Sequence, residues 1–116
     1  MSDTLFILNE APYGSERTYN ALRLAVTLAA QPGQRVRLFL MADAVLAAKA
    51  GQKVPAGYYN VEAMLGKVVS RGEVALCGTC MDARALHDDE LLAGCKRSTM
   101  VQLGQWTIEA DKVLVF

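Results

Sequence analysis

A chain of 116 residues with 53% hydrophobic side chains is long enough to bury one working core and too short for two. Twelve basic and twelve acidic side chains cancel, so no basic excess draws the chain to nucleic acid or to an anionic membrane surface. No apolar run approaches membrane-spanning length, since even Leu22 to Ala30 is broken by Arg23 and Thr27. Three cysteines are an odd number and too few for a disulfide framework. Asp3 stands in an N-terminus without a basic n-region, so no signal peptide is read there, and a cytoplasmic protein with reduced thiols is expected.

Taken in chain order, Thr4 to Leu8 is a short apolar run that reads as a buried strand. Asn9 to Gly14 is a loop with strong turn chemistry, and Ser15 is placed to cap the helix that follows, in which Leu22, Ala25, Val26 and Ala29 recur at helical spacing. Pro32-Gly33 stops that helix, and Arg35 to Met41 is a second buried strand. Asp43 is expected to cap a short Ala-rich helix ending near Gly51, and Gln52 to Tyr59 is an irregular loop. Asn60 caps a third helix with Val61, Met64, Leu65 and Val68 on one face and Gly72 just past its end. Glu73 to Cys77 is a third strand. Helical stretches are predicted from about Cys80 to Leu86 and from Asp88 to Ala93, then a small strand over Gly94 to Arg97. Ser98 is read as the cap of a helix carrying Leu103, Trp106 and Ala110, and Lys112 to Phe116 is a final apolar strand.

Strands alternating with helices predict one α/β domain over residues 1–116: a mostly parallel five-stranded sheet with helices on both faces. The short apolar strands fit, because both faces of each are covered. Ligands of such sheets bind beyond the carboxyl ends of the strands. Here those ends carry Asn9 to Gly14, Ala42-Asp43 with the nearby Gln52 to Tyr59 segment, and Cys77-Gly78-Thr79-Cys80. Two thiols three residues apart at a strand-to-helix junction are placed for thiolate chemistry, which a helix N-terminus and the positive charge of Arg84 favour.

The ordered segments Asn9 to Glu16, Leu22 to Ala25, Leu38 to Val45, Gly51 to Lys53, Gly57-Tyr58, Leu76 to Cys80, Gln105-Trp106 and Ala110 to Leu114 resemble the DsrE/DsrF-like sulfur-relay family, in its small stand-alone subgroup. The resemblance covers essentially the whole chain. It implies a three-layer α/β/α subunit and a homo-oligomer, usually a hexamer; no cofactor is expected, because a thiolate does the chemistry. Catalytic members of the family accept a persulfide on a cysteine that opens the helix after the third strand. Cys80, followed by Met81-Asp82-Ala83-Arg84, occupies the matching position. The expected function is acceptance of sulfane sulfur from a donor protein and its transfer to an acceptor, with Cys80 as persulfide carrier and Cys77 tuning or resolving it. Tyr13, Gly14, Tyr58, Gly78, Thr79 and Arg84 are the expected substrate-side residues.

Other readings of the same residues are plainer. Most free cysteines are small buried hydrophobes, and Cys77, at a strand end, is expected to point into packed structure. Cys77, Cys80, His87 and Cys95 have ligand types suited to zinc, but one Cys-x-x-Cys with two loosely spaced partners is weak evidence and no metal is expected. A thioredoxin-type pair would follow the first strand of a different βαβ order. Asn9 to Ser15 lacks the glycines of a phosphate loop and reads better as a connection lining the edge of the site. The same edge pocket also suits a non-catalytic oligomer that binds a small ligand or partner.

Overall fold

The computed structural model describes residues 1–116. The elements in order are β1 (Ser2–Leu8), α1 (Arg17–Ala29), β2 (Gln34–Leu40), a 3-10 segment (Ala42–Ala48), α2 (Val61–Val69), β3 (Glu73–Cys77), α3 (Gly78–Ala83), a 3-10 turn (Asp88–Glu90), β4 (Cys95–Ser98), α4 (Met100–Glu109) and β5 (Lys112–Val115). The five strands form one sheet of order β4-β3-β2-β1-β5. Every pairing is parallel, where the sequence predicts a mostly parallel sheet.

The handedness of parallel crossovers decides which face each helix covers. From β1 to β4 the chain steps in one direction, so α1 and α2 share a face. The last connection runs back past β1, and α4 therefore falls on the other. Strand alternation divides the core accordingly. Phe6, Leu8, Val36, Leu38, Leu40, Val74 and Leu76 join Leu22 of α1 and Leu65 of α2 in a cluster of 20 buried residues. Leu5, Phe39, Ala75 and Cys77 meet Leu103 and Trp106 of α4 in a second cluster of six. Cys77 is thus on the α4 face of the sheet.

Local chemistry sets the element ends. Asn60 Oδ1 accepts the Ala63 N–H at 3.0 Å, capping α2 as its sequence position predicts. Gly72 passes so close to β2 that an added Cβ would overlap the Val36 carbonyl oxygen. Four expectations shift. Helix α1 begins at Arg17 with Glu16 as its cap residue and no side-chain cap. Asp43 lies inside its segment instead of capping it, and that segment winds as 3-10. The chain enters it through Ala42, whose φ of 50° is left-handed. The helix expected from Asp88 to Ala93 is one 3-10 turn. Thr99, not Ser98, caps α4, its Oγ1 accepting the Gln102 N–H at 3.3 Å.

Candidate functional site

The sequence places a helix start near Cys80 and so puts that thiol nearest the N-terminus. In the structure α3 opens one residue after β3, at Gly78, and Cys77 is its cap residue. The Cys77 backbone is extended (φ −63°, ψ 115°). Its Sγ accepts the Cys80 N–H at 3.4 Å and lies 3.2 Å from Thr79 Oγ1. The reason is geometric: a short side-chain acceptor at the cap position reaches the N–H three residues on, the role serine or aspartate usually fills. Cys80 is the third residue of α3.

This geometry divides the thiols electrostatically. Burial pushes the Cys77 pKa up, but hydrogen bonds from Cys80 and Thr79, side chain and backbone, outweigh it and hold the thiol below its ordinary value. Cys80 moves the other way. Burial raises it, its hydrogen bond to the Cys77 sulfur raises it further, and the Ala42 backbone and the Arg84 charge only partly compensate. The two shifts run in opposite directions, so negative charge is favoured on Cys77 over Cys80.

Cys77 lies in the wall of a cleft of about 510 Å³ with Thr79, Asp82, Arg97, Ser98 and Met100. Gly78 also faces this cleft, and its lack of a side chain matters there. An added Cβ would stand 3.0 Å from Arg97 Nη1 and 3.2 Å from the Ser98 carbonyl oxygen. The close approach lets Arg97 Nη1 donate to the Gly78 carbonyl at 3.1 Å. The same guanidinium pairs with Asp82 at 3.0 Å and Asp88 at 2.8 Å. Arg97 and Ser98 also line this cleft, a placement the sequence reading missed. The signal was the strand pairing itself: β4 lies beside β3 with Ser98 opposite Cys77. A neighbouring cleft of about 440 Å³ shares Arg97 and Ser98 and is floored by Val74, Ala75 and Trp106; it contains no thiol.

Of the expected substrate-side residues, Gly78 and Thr79 line the Cys77 cleft. Arg84 stands behind Cys80, with Nη1 donating to the Cys80 carbonyl at 3.0 Å and Nε to Asp43 Oδ1 at 3.0 Å. Tyr13 and Tyr58 lie elsewhere, in a cluster containing all four tyrosines of the chain. Tyr19 stacks on Tyr59 at 4.1 Å between ring centroids, Tyr58 on Tyr59 at 4.5 Å, and Tyr13 on Tyr59 at 5.6 Å. The Tyr13 hydroxyl donates to Gln52 Oε1 at 2.6 Å and accepts the Val61 N–H at 3.1 Å. These contacts fasten the Gln52–Tyr59 loop to the loop after β1, and Gly14 (φ 103°) turns that loop toward α1.

No three His, Cys, Asp or Glu side chains converge to hold a metal ion. Cys95 belongs to the larger core cluster, across the sheet from Cys77, and burial pushes its thiol up to about 11. No helix is long and apolar enough to cross a membrane.

These features define a small parallel α/β domain with a thiol pair at the carboxyl edge of its sheet. The chain matches the DsrE/DsrF-like family over residues 3–116 and belongs to that family, which is associated with sulfur relay. It is 45% identical to Protein YchN of Escherichia coli (strain K12), over all of both chains. The crystal structure of the E. coli ychN protein superimposes with a TM-score of 0.94, again covering all of both chains. An uncharacterised protein of Methanopyrus kandleri is 39% identical over 95% of this chain and 90% of its own. A protein of unknown function from Methanobacterium thermoautotrophicum shares the fold, with a TM-score of 0.77 at 12% identity and full coverage of both chains.

Proposed function

We propose that this protein accepts sulfane sulfur on its Cys77–Cys80 pair, from a donor persulfide, and hands it on to an acceptor. The observation that carries this reading is a thiol held toward its thiolate by two hydrogen-bond partners, in the wall of an open cleft. The thiolate is the form that attacks sulfur, and membership of a family associated with sulfur relay supports the choice of sulfur as substrate. Thiolate chemistry of this kind requires no cofactor. The position of the family's carrier cysteine falls on Cys80, and its immediate contact with Cys77 makes the two a single site.

We further propose that the subunit assembles with copies of itself, a hexamer being the family's usual form. Val101 and Ile108 on α4 are 83% and 82% exposed, and Val115 on β5 is 64% exposed. Small domains commonly bury such surplus apolar surface between subunits.

The test of function is intact-protein mass spectrometry after exposure to glutathione persulfide. Uptake of sulfur, about 32 Da per atom, or its onward chemistry at Cys77 or Cys80, is expected in the wild type and absent from the Cys77→Ser/Cys80→Ser double variant. A wild type that responds no differently from the double variant would replace this reading with that of a binding protein.

A further inference from the structure

The two thiols are unlike in placement. Cys77 is in the wall of the cleft, and its sulfur is fixed by Thr79 Oγ1 at 3.2 Å and by the Cys80 N–H at 3.4 Å. Cys80 does not line that cleft. It packs against both core clusters, and its carbonyl is anchored by Arg84. Cys77 is the more buried of the two thiols and a member of the α4-side core cluster, yet it is the thiol the cleft reaches, so a donor in the cleft meets Cys77, with the half-buried Cys80 beside it.

We propose that Cys77 attacks the sulfane donor and that Cys80 resolves the resulting persulfide, so that the site releases sulfide and closes a Cys77–Cys80 disulfide. This rests on the sulfur-accepting function proposed above and goes beyond it by naming a product and a co-reactant. In the first step the Cys77 thiolate attacks the outer sulfur of a persulfide R–S–SH. A Cys77–sulfur bond forms, the donor S–S bond breaks, and its electron pair leaves with the thiolate R–S⁻. In the second step Cys80 gives up its proton and, as the thiolate, attacks Cys77 Sγ. The Sγ–sulfane bond breaks, its electron pair leaves with the sulfane sulfur, and that sulfur takes up the Cys80 proton. Cys77–S–SH and Cys80–SH become Cys77–S–S–Cys80 and H₂S. The sulfane sulfur is reduced by two electrons, and the two cysteine sulfurs are oxidised by one each. A dithiol reductant, such as a reduced Cys-x-x-Cys protein, restores the pair by thiol–disulfide exchange.

Three features favour this order. Thiol–disulfide chemistry is fastest for a thiol with a substantial thiolate fraction, and the direction of the Cys77 shift supplies it. The Cys80 backbone lies against Cys77 Sγ, its N–H at 3.4 Å, which places the second thiol beside the first. Arg97, the one cation among the lining residues, faces the space where the leaving sulfide develops its charge. On a site with only one thiol the persulfide would persist as a carrier; the second thiol gives it an internal exit.

The experiment is a single turnover of the reduced full-length protein with glutathione persulfide, without added reductant. Released sulfide is trapped as its bimane adduct and the protein mass is mapped by peptide. The Cys77→Ser/Cys80→Ser variant sets the background from the donor itself. The wild type is expected to release about one equivalent of sulfide per chain above that background and to lose about 2 Da as a Cys77–Cys80 disulfide. Cys80→Ser keeps a hydrogen-bonding side chain near Cys77 and is expected to accumulate the added sulfur stably on Cys77 without sulfide. Cys77→Ser is expected to load Cys80 at least ten-fold more slowly. A wild type that gains sulfur and keeps it, with no disulfide, would overturn the proposal while leaving the sulfur-accepting function intact. Cys77→Ser loading Cys80 at the wild-type rate would reverse the two roles. No response from any form beyond the double variant would remove both readings together.

Discussion

Thr79→Val isolates one of the contacts that hold Cys77 toward its thiolate. Valine matches threonine in shape, and position 79 is exposed, so the fold tolerates the change. The perturbation removes the hydroxyl 3.2 Å from Cys77 Sγ and leaves the Cys80 N–H at 3.4 Å in place. Hydrogen bonds to charged groups contribute about 1.5–3 kcal/mol. Sulfur is a weak acceptor and water reaches position 79, so a loss of about 1 kcal/mol is the appropriate figure. A loss of about 1 kcal/mol lowers the thiolate fraction roughly five-fold at a pH below the midpoint, so the Cys77 pKa moves up. The assay is the rate of iodoacetamide alkylation against pH, with the modified residue mapped by mass spectrometry. Wild-type Cys77 is expected to titrate below the ordinary thiol value, because its hydrogen bonds outweigh burial, and the variant above the wild type. Cys80 on the same turn shares the titration, and the other charged side chains lining the cleft, Asp82 of α3 and Arg97 of β4, are not altered. An unchanged midpoint in Thr79→Val would refute the account of Cys77 as a hydrogen-bonded thiolate, and a fall in the midpoint would refute it more strongly.

Cys95, buried and pushed up to about 11, should resist iodoacetamide near neutral pH in the folded protein and react fully in 6 M guanidinium chloride, a denaturant strength at the edge of hyperstability; alkylation alongside Cys77 in the native state would contradict its place in the core. Gly72→Ala forces a methyl group onto the Val36 carbonyl, so it should cost about 2 kcal/mol or more in urea denaturation, and a midpoint equal to wild type would show that the close approach is absent. Light scattering at micromolar concentration should give a mass several times 12.6 kDa, and Val101→Glu with Ile108→Glu should lower it while the circular dichroism of the subunit persists. A wild type that runs as a clean monomer would defeat the assembly proposal.

What the sequence revealed and what it concealed follow from the range of each interaction. The Asn60 cap rests on contacts within a few residues, and β3 is marked by its own short apolar run; both stand where the sequence placed them. The parallel sheet followed from alternation of strand and helix. The start of α3 did not, because the sequence signals for a cap are serine, threonine, aspartate and asparagine, and a cysteine in that role resembles any strand-ending apolar residue. The same blind spot hid the placement of Cys77: Cys80 looked nearest the helix start, yet Cys77 is the cap residue and its sulfur accepts the Cys80 N–H. Asp43 looked like a cap but follows Ala42 in a left-handed conformation, a backbone choice that alanine does not advertise. Arg97 meets Asp82 and Gly78 through strand pairing, and the tyrosines join loops far apart in the chain. Local patterns carry no trace of either arrangement.

The reversal in strand order also constrains how the sheet is built. β1 is an interior strand, flanked by β2 and β5. Its first flank is filled early, by a crossover through α1. Its second waits for residues 112–115, and the closing contacts join partners 108 residues apart in sequence: the Asp3 N–H with the Asp111 carboxylate, and the Asp111 N–H with the Asp3 carbonyl. Until β5 arrives, Thr4 to Ile7 present an unpaired hydrogen-bonding edge at what will become the middle of the sheet. β1 thus keeps an open edge until its longest-range pairing forms. Such high contact order makes folding slow, and the exposed edge makes the delay hazardous, because another copy's β5 can fill it as well as the chain's own.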